Sequence, residues 1–298
     1  MLDIQTIRDD PERARQAMRD RGNPNLDAID RALKCDTARR QTLTQLQEAQ
    51  ARSNTVSREI GLLMREGKKD EAQERIAETA RLKQQIKEGE EQARSAETSL
   101  EALLLEIPNI PHESVPVGHS EQENKVVYAE GERPSFDFEP APHWELAARH
   151  GLIDFERGAK VTGAGFPFYL GQGARLQRAL INFFLDLAVE EGGYREVQPP
   201  YFVNEDSARG TGQLPDKEDQ MYVIGRDGFY PVPTAEVPVT NYYRGEILDE
   251  ADLPLKLCAY TPCWRREAGS YGKHVRGLNR VHQFDKVELV RIVHPDTS

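Results

Sequence analysis

The chain predicts an α+β protein: a long antiparallel two-helix coiled coil, then an antiparallel β-sheet flanked by helices. Three observations carry this. Residues 1–106 are rich in Arg, Glu, Gln, Ala and Leu and poor in aromatics, the composition of extended helix. Pro108, Pro111 and Pro116 then forbid any continuing helix, so 107–119 reads as a semi-rigid linker. Across 120–298 short apolar runs alternate with helical patterns, and the two runs around Tyr260–Trp264 and Gln283–Glu288 are spaced as a hairpin.

The first long helix has a seam through Leu26, Ile29, Leu33, Leu43, Leu46, Val56, Ile60 and Leu63. It ends at Arg65-Glu66-Gly67-Lys68-Lys69, a glycine among charges, which places a hairpin tip near 67. The second seam runs Ala72, Ile76, Thr79, Leu82, Ile86, Gly89, Ala93, Ala96, Leu100, Leu103 and Ile107, in steps of three and four. Two helices of nearly 40 residues would each reach about 55–60 Å at ~1.5 Å per residue.

Charge is unevenly spread. The whole chain carries −11, yet Arg31, Lys34, Arg39, Arg40, Arg52, Arg58 and Arg65 outnumber Asp36, Glu48, Glu59 and Glu66 along the first helix, a local +3. Phosphates would prefer this stretch, although a merely solvated coiled-coil face explains the same charges and is the better reading of the pattern alone. An acidic total argues against a protein that coats nucleic acid over its whole surface.

After the linker, Gly173–Glu191 carries Leu176, Leu180, Phe183 and Leu187 on one helical face, Gly192-Gly193 stops it, and Tyr194–Val197 reads as a strand. Gly210-Thr211-Gly212-Gln213-Leu214-Pro215 is a turn. Cys35, Cys258 and Cys263 have no paired short spacing, so neither a disulfide framework nor a four-ligand zinc site is indicated. No apolar run approaches the roughly 20 residues of a bilayer span and the N-terminus lacks a signal-peptide core, so a cytoplasmic protein is expected.

The chemistry concentrates near the end. Arg265-x-Glu267 closes one apolar run, a loop with Lys273, His274, Arg276 and Arg280 follows, and Arg280-x-x-x-Phe284 opens the next. Antiparallel strands joined by such a loop put a guanidinium, a carboxylate and an aromatic face on one wall, which suits an ATP triphosphate and its adenine. Taken alone, Arg265 and Glu267 also fit a same-face surface ion pair. There is no Walker-type glycine loop. His143, His150 and His282 lack a second ligand at metal spacing and read as structural or surface residues.

The run Thr-Pro-Cys-Trp-Arg-Arg-Glu-Ala-Gly-Ser over 261–270, with Arg280 and Phe284, resembles motif 2 of the class II aminoacyl-tRNA synthetases in the wording of the bacterial-type seryl-tRNA synthetase family. Gly193-Tyr194-x-x-Val197-x-x-Pro200 is similar to motif 1, which implies a homodimer. The resemblance implies a tRNA-binding arm over 1–106 and a partial class II catalytic domain over 120–298. It implies ATP, with Mg²⁺, held by Arg265, Arg266, Glu267, Arg280 and Phe284, Arg265 being the catalytic group. It also implies L-serine held by Thr234, Ala235, Glu236, Arg265 and Glu288, and tRNA(Ser) and tRNA(Sec) held by Arg39, Arg40 and Arg52. The expected reaction is serine–tRNA ligation through seryl-adenylate.

The family's third motif does not follow Glu288 before Ser298, so the resemblance implies either a fragment of a longer protein or a truncated gene product, with an incomplete sheet and no adenylate formation on its own. A non-catalytic tRNA-binding relative is the alternative. Amino acid:carrier-protein ligases lack the long arm, and a purely structural coiled-coil protein leaves residues 120–298 unexplained.

Overall fold

The structure, a computed structural model, describes residues 2–118, 120–268 and 276–297. It divides into two compact units, residues 1–132 and 133–298.

In the first unit α1 (Ile4–Asp9) and α2 (Pro11–Asp20) precede α3 (Ala28–Arg65) and α4 (Lys69–Leu104). Asp3 and Asp10 cap the short helices, accepting from the N–H groups of Gln5 and Arg13 at 2.9 Å each, and Pro11 fits the first turn where its missing N–H costs nothing. The chain reverses at Gly67, whose φ of +77° favours glycine. The helices α3 and α4, of 38 and 36 residues, run about 57 and 54 Å. Ile29, Val56, Ala72, Leu82 and Leu100 are buried along their seams. Gly89 keeps the helices close, since a Cβ there would lie 3.3 Å from a methyl of Leu46.

Two features differ from the sequence expectation. The helices α1 and α2 fold onto the base of the hairpin, where Ile7, Ala14 and Met18 form one cluster with Ile29, Ala32, Leu100, Leu104 and Ile107. They are 6 and 10 residues long, too short to show a heptad. The gap in the first seam between Leu33 and Leu43 contains Asp36, which is 0% exposed. Arg8 Nε at 3.4 Å, Arg39 Nη2 at 3.5 Å and Arg40 Nε at 3.0 Å surround its carboxylate. A buried carboxylate persists only when cations replace its lost water, and these three also tie α1 to α3.

In the second unit the order is α5 (His143–Arg149), β1 (Ile153–Asp154), α6 (Phe155–Val161), β2 (Phe168–Tyr169), α7 (Gly171–Glu190), β3 (Arg195–Glu196), β4 (Phe202–Val203), α8 (Glu205–Gly210), β5 (Tyr230–Pro231), α9 (Glu236–Thr240), β6 (Leu255–Trp264) and β7 (Gln283–Ile292). The main sheet has order β3-β6-β7. Its β6 and β7 pair antiparallel with Cys263 opposite Phe284 and Ala259 opposite Glu288. The short β3 pairs parallel to β6, so the sheet is mixed rather than purely antiparallel. Small antiparallel pairs, β1 with β2 and β4 with β5, flank it.

The helix α7 packs beside β6 and β7, where its Gln177 amide and the Tyr260 hydroxyl both donate to the Asp285 carboxylate, the latter at 2.5 Å. Burial, with Asp285 beside it, pushes the Tyr260 phenol well above its ordinary pKa and keeps it a donor. Leu176, Leu180, Phe183 and Leu187 are exposed on α7. Among the described residues no helix is long and apolar enough to cross a membrane.

Gly165 fixes the start of β7. His282 N–H donates to Gly165 O at 2.8 Å, Phe166 stacks on the His282 ring, and the Tyr222 hydroxyl is 2.8 Å from its Nδ1. A Cβ on Gly165 would sit 2.4 Å from the ring and 3.2 Å from the backbone nitrogen of His282, at φ +83°. Gly165→Ala should therefore lower unfolding stability by about 2 kcal/mol, read from urea denaturation followed by tryptophan fluorescence. Asp36→Ala should cost about 3 kcal/mol in the same titration followed by circular dichroism at 222 nm, because it leaves three guanidiniums facing one another.

Candidate active site

The hairpin alternation builds the site. On β7, Phe284, Lys286 and Glu288 occupy one face, opposite Cys263, Thr261 and Ala259 of β6, all three of which are buried. Arg265 continues this row: its N–H donates to His282 O at 3.0 Å, one step beyond the paired strands. Its Nε donates to Pro233 O at 3.2 Å, and its guanidinium carbon lies 5.2 Å from the centre of the Phe284 ring.

Thr234 is 3% exposed and reaches the far end of the row. Its hydroxyl donates to Glu288 Oε2 at 2.8 Å and accepts from the N–H of Glu236 at 3.2 Å. Lys286 forms an ion pair with the same Glu288 oxygen. Ala235 is fully buried, and Glu236 begins α9 with its side chain exposed. Thr234 and Glu288 are thus brought together, while the Glu236 carboxylate is not part of that contact.

Glu267 corrects a detail of the sequence reading. The strand β6 ends at Trp264, and Glu267 has φ +49°, so strand alternation does not set its direction. It nevertheless turns inward and accepts from Arg280 Nη1 at 2.8 Å. Arg265, Glu267 and Arg280 line a cleft of about 510 Å³ with Gln213, Glu218, Gln220, Met221, Pro233 and Ala268. Gln213 belongs to the turn noted at Gly210–Pro215. Arg266 faces elsewhere: its N–H donates to Gln220 O at 2.9 Å and its guanidinium pairs with Asp219 at 3.0 Å. Phe284 lines a separate apolar cavity of about 500 Å³ beside α7, with Leu176, Leu180 and Phe184. Lys273 and His274 lie outside the described residues.

The remaining candidates have structural partners. His143 Nε2 accepts from Leu278 N–H at 2.8 Å, and Arg276 lies 5.2 Å from the Trp144 ring, so α5 holds the far limb of the loop. Cys258 and Cys263 are core residues of β6, and burial pushes both thiols above their ordinary pKa. On the arm, Arg39 and Arg40 face Asp36, while Arg52 Nη2 pairs with Glu78 at 2.7 Å. Sequence reasoning passed over Lys286, although the same two-residue spacing that groups Phe284 with Glu288 includes it.

Known proteins share this architecture. Residues 1–111 match the seryl-tRNA synthetase N-terminal domain, and residues 223–298 match the tRNA synthetase class II core domain (G, H, P, S and T). The serine–tRNA ligase of Salinibacter ruber (strain DSM 13855 / M31) is 60% identical over 298 residues, which are 100% of this chain and 69% of that protein. The serine–tRNA ligase of Geobacter sulfurreducens (strain ATCC 51573 / DSM 12127 / PCA) is 48% identical with the same coverage. Among solved structures, the seryl-tRNA synthetase of Pyrococcus horikoshii complexed with ATP superposes with a TM-score of 0.86 at 33% identity, covering 100% of this chain and 71% of that one. The cytoplasmic serine–tRNA ligase of Naegleria fowleri in complex with AMP gives 0.79 at 28% identity, covering 99% and 68%. Identity to serine–tRNA ligases along the whole of this chain, on a fold that carries the hairpin wall described above, places this chain in the seryl-tRNA synthetase family.

Proposed function

We propose that this chain supplies the tRNA-binding arm and part of the catalytic domain of a polypeptide that activates L-serine with ATP to seryl-adenylate and transfers the seryl group to tRNA(Ser). The supporting observation is the single row on the β6–β7 face, with a carboxylate and hydroxyl (Glu288, Thr234) at one end and a guanidinium on an aromatic ring (Arg265, Phe284) at the other.

Adenylate formation needs no general base, because the amino-acid carboxylate is already ionised and is the nucleophile. The protein positions charge. Among the described residues Arg265 uses Nε alone, on Pro233 O, which leaves both terminal nitrogens to fork across the substrate carboxylate and the α-phosphate. Glu288 takes the serine ammonium, and Thr234 orients that carboxylate. Unpaired polar groups at this end would reject alanine and glycine. Phe284 stacks on adenine once Arg265 shifts toward the phosphates. Arg280, held by Glu267, faces the outer phosphates. Glu218 lines the same cleft and would offer the hard oxygen donor that Mg²⁺ takes, an ion that would neutralise phosphate charge there.

The helical arm over 1–106 binds tRNA in this reading, separated by the linker at 107–119 from the catalytic region over 120–298. Arg40 is best disposed for phosphate, because Asp36 holds its Nε and leaves its terminal nitrogens unbonded, whereas Arg39 and Arg52 must also leave Glu97 and Glu78. Such contacts address backbone shape and charge rather than base edges, so the proposal covers tRNA(Sec) as well as tRNA(Ser). The exposed row Leu176, Leu180 and Phe183 on α7 supports a homodimer through that helix. Three free thiols suit a reducing compartment, in line with a cytoplasmic site.

The polypeptide as natively expressed should show serine-dependent ATP–pyrophosphate exchange, and its absence would remove the assignment. Arg265→Ala should lower that exchange by about 100-fold or more while leaving tRNA affinity within about twofold, measured by filter binding. Arg40→Gln combined with Arg52→Gln should do the reverse, weakening tRNA binding and reducing its salt slope by about 2 while exchange stays constant. Phe183→Glu should shift the sedimentation coefficient from that of a dimer to that of a monomer.

A further inference from the structure

Glu288 carries two donors on one oxygen. The Thr234 hydroxyl donates to Oε2 at 2.8 Å, and the Lys286 ammonium pairs with the same atom. The function proposed above, on which this inference rests, gives Glu288 to the substrate ammonium. Two ammonium groups on one carboxylate repel each other, so a serine ammonium arriving at Glu288 weakens the hold on the resident cation.

Register shows where it can go. Phe284, Lys286 and Glu288 are alternate residues of β7 facing Cys263, Thr261 and Ala259. At ~3.4 Å rise per residue, Lys286 stands about 7 Å from each neighbour in the row. Phe284 with Arg265 marks the nucleotide end, and Glu288 with Thr234 marks the amino-acid end. The bond that forms joins a serine carboxylate oxygen to the α-phosphorus, between those ends. Thr261 opposite is neutral and buried, so among the described residues Glu288 is the carboxylate that holds the Lys286 nitrogen.

We propose that Lys286 is a further catalytic residue: paired with Glu288, displaced from it by the incoming serine ammonium, and moved onto the serine carboxylate and α-phosphate oxygens. In that step a carboxylate oxygen attacks the α-phosphorus and the new P–O bond forms. The bond from the α-phosphorus to the oxygen bridging to the β-phosphate breaks, and pyrophosphate leaves with the electron pair. No proton moves. The ammonium supplies charge where the entering and equatorial oxygens crowd, and Arg265 supplies it from the nucleotide side. Because Lys286 competes with substrate in the ground state and assists it in the transition state, it trades serine affinity for rate.

Serine-dependent ATP–pyrophosphate exchange by the natively expressed polypeptide tests this with Lys286→Gln and Lys286→Arg. The glutamine variant should lose about 100-fold in kcat, with a KM for serine that is unchanged or lower. The arginine variant should recover at least one-tenth of the wild-type kcat. A raised KM for serine with wild-type kcat in Lys286→Gln would overturn the proposal, since Lys286 would then only shape Glu288 for binding. Equal kcat losses in both variants would also overturn it, and a melting temperature unchanged from wild type excludes misfolding as the cause. Exchange absent from the wild type would instead count against the function itself.

Discussion

The pairing of β6 with β7 is the constraint on which the site depends. Side chains alternate across a sheet with a period of two, so a shift of one residue would take Phe284, Lys286 and Glu288 out of the row opposite Cys263, Thr261 and Ala259 and put Asp285 and Val287 in it. The register is pinned from both faces. Toward α7, Asp285 accepts from Gln177 and Tyr260. At the loop end, His282 is locked between Gly165, Phe166 and Tyr222. These contacts touch no proposed substrate group, yet they set the distance from the nucleotide end of the row to the amino-acid end.

The two units use charge in different ways. In the first, Asp36 is buried in an apolar seam and neutralised by three guanidiniums, of which Arg40 contacts it through Nε. In the second, Arg265 keeps most of its donors unspent beside an aromatic ring, and Glu288 is held by a hydroxyl and a lysine that can both yield. The Asp36 carboxylate is fully buried, whereas the Glu288 carboxylate stays partly exposed.

Much of this was legible in the sequence. The two long helices announced themselves through seams several heptads long, and the hairpin through paired apolar runs that end in Arg265-x-Glu267 and begin at Arg280-x-x-x-Phe284. Asp36 was not legible as a seam residue, because its burial depends on Arg8, which is distant in sequence and arrives on a helix of 6 residues. Glu267 was placed on a strand because spacing cannot reveal a left-handed φ at a glutamate. Arg266 was grouped with the nucleotide contacts by adjacency, but neighbouring residues on extended chain point to opposite sides, and it pairs with Asp219. Lys286 was legible and overlooked, since alternation alone puts it with Phe284 and Glu288.

The interior thiols of β6 bear on durability. Cys258 and Cys263 are sealed from solvent with their pKa values raised, so the nucleophilic thiolate that peroxides and alkylating agents attack is scarce at both. The strand that leads to Arg265 thus carries its two thiols in a form that resists modification, unlike a surface cysteine.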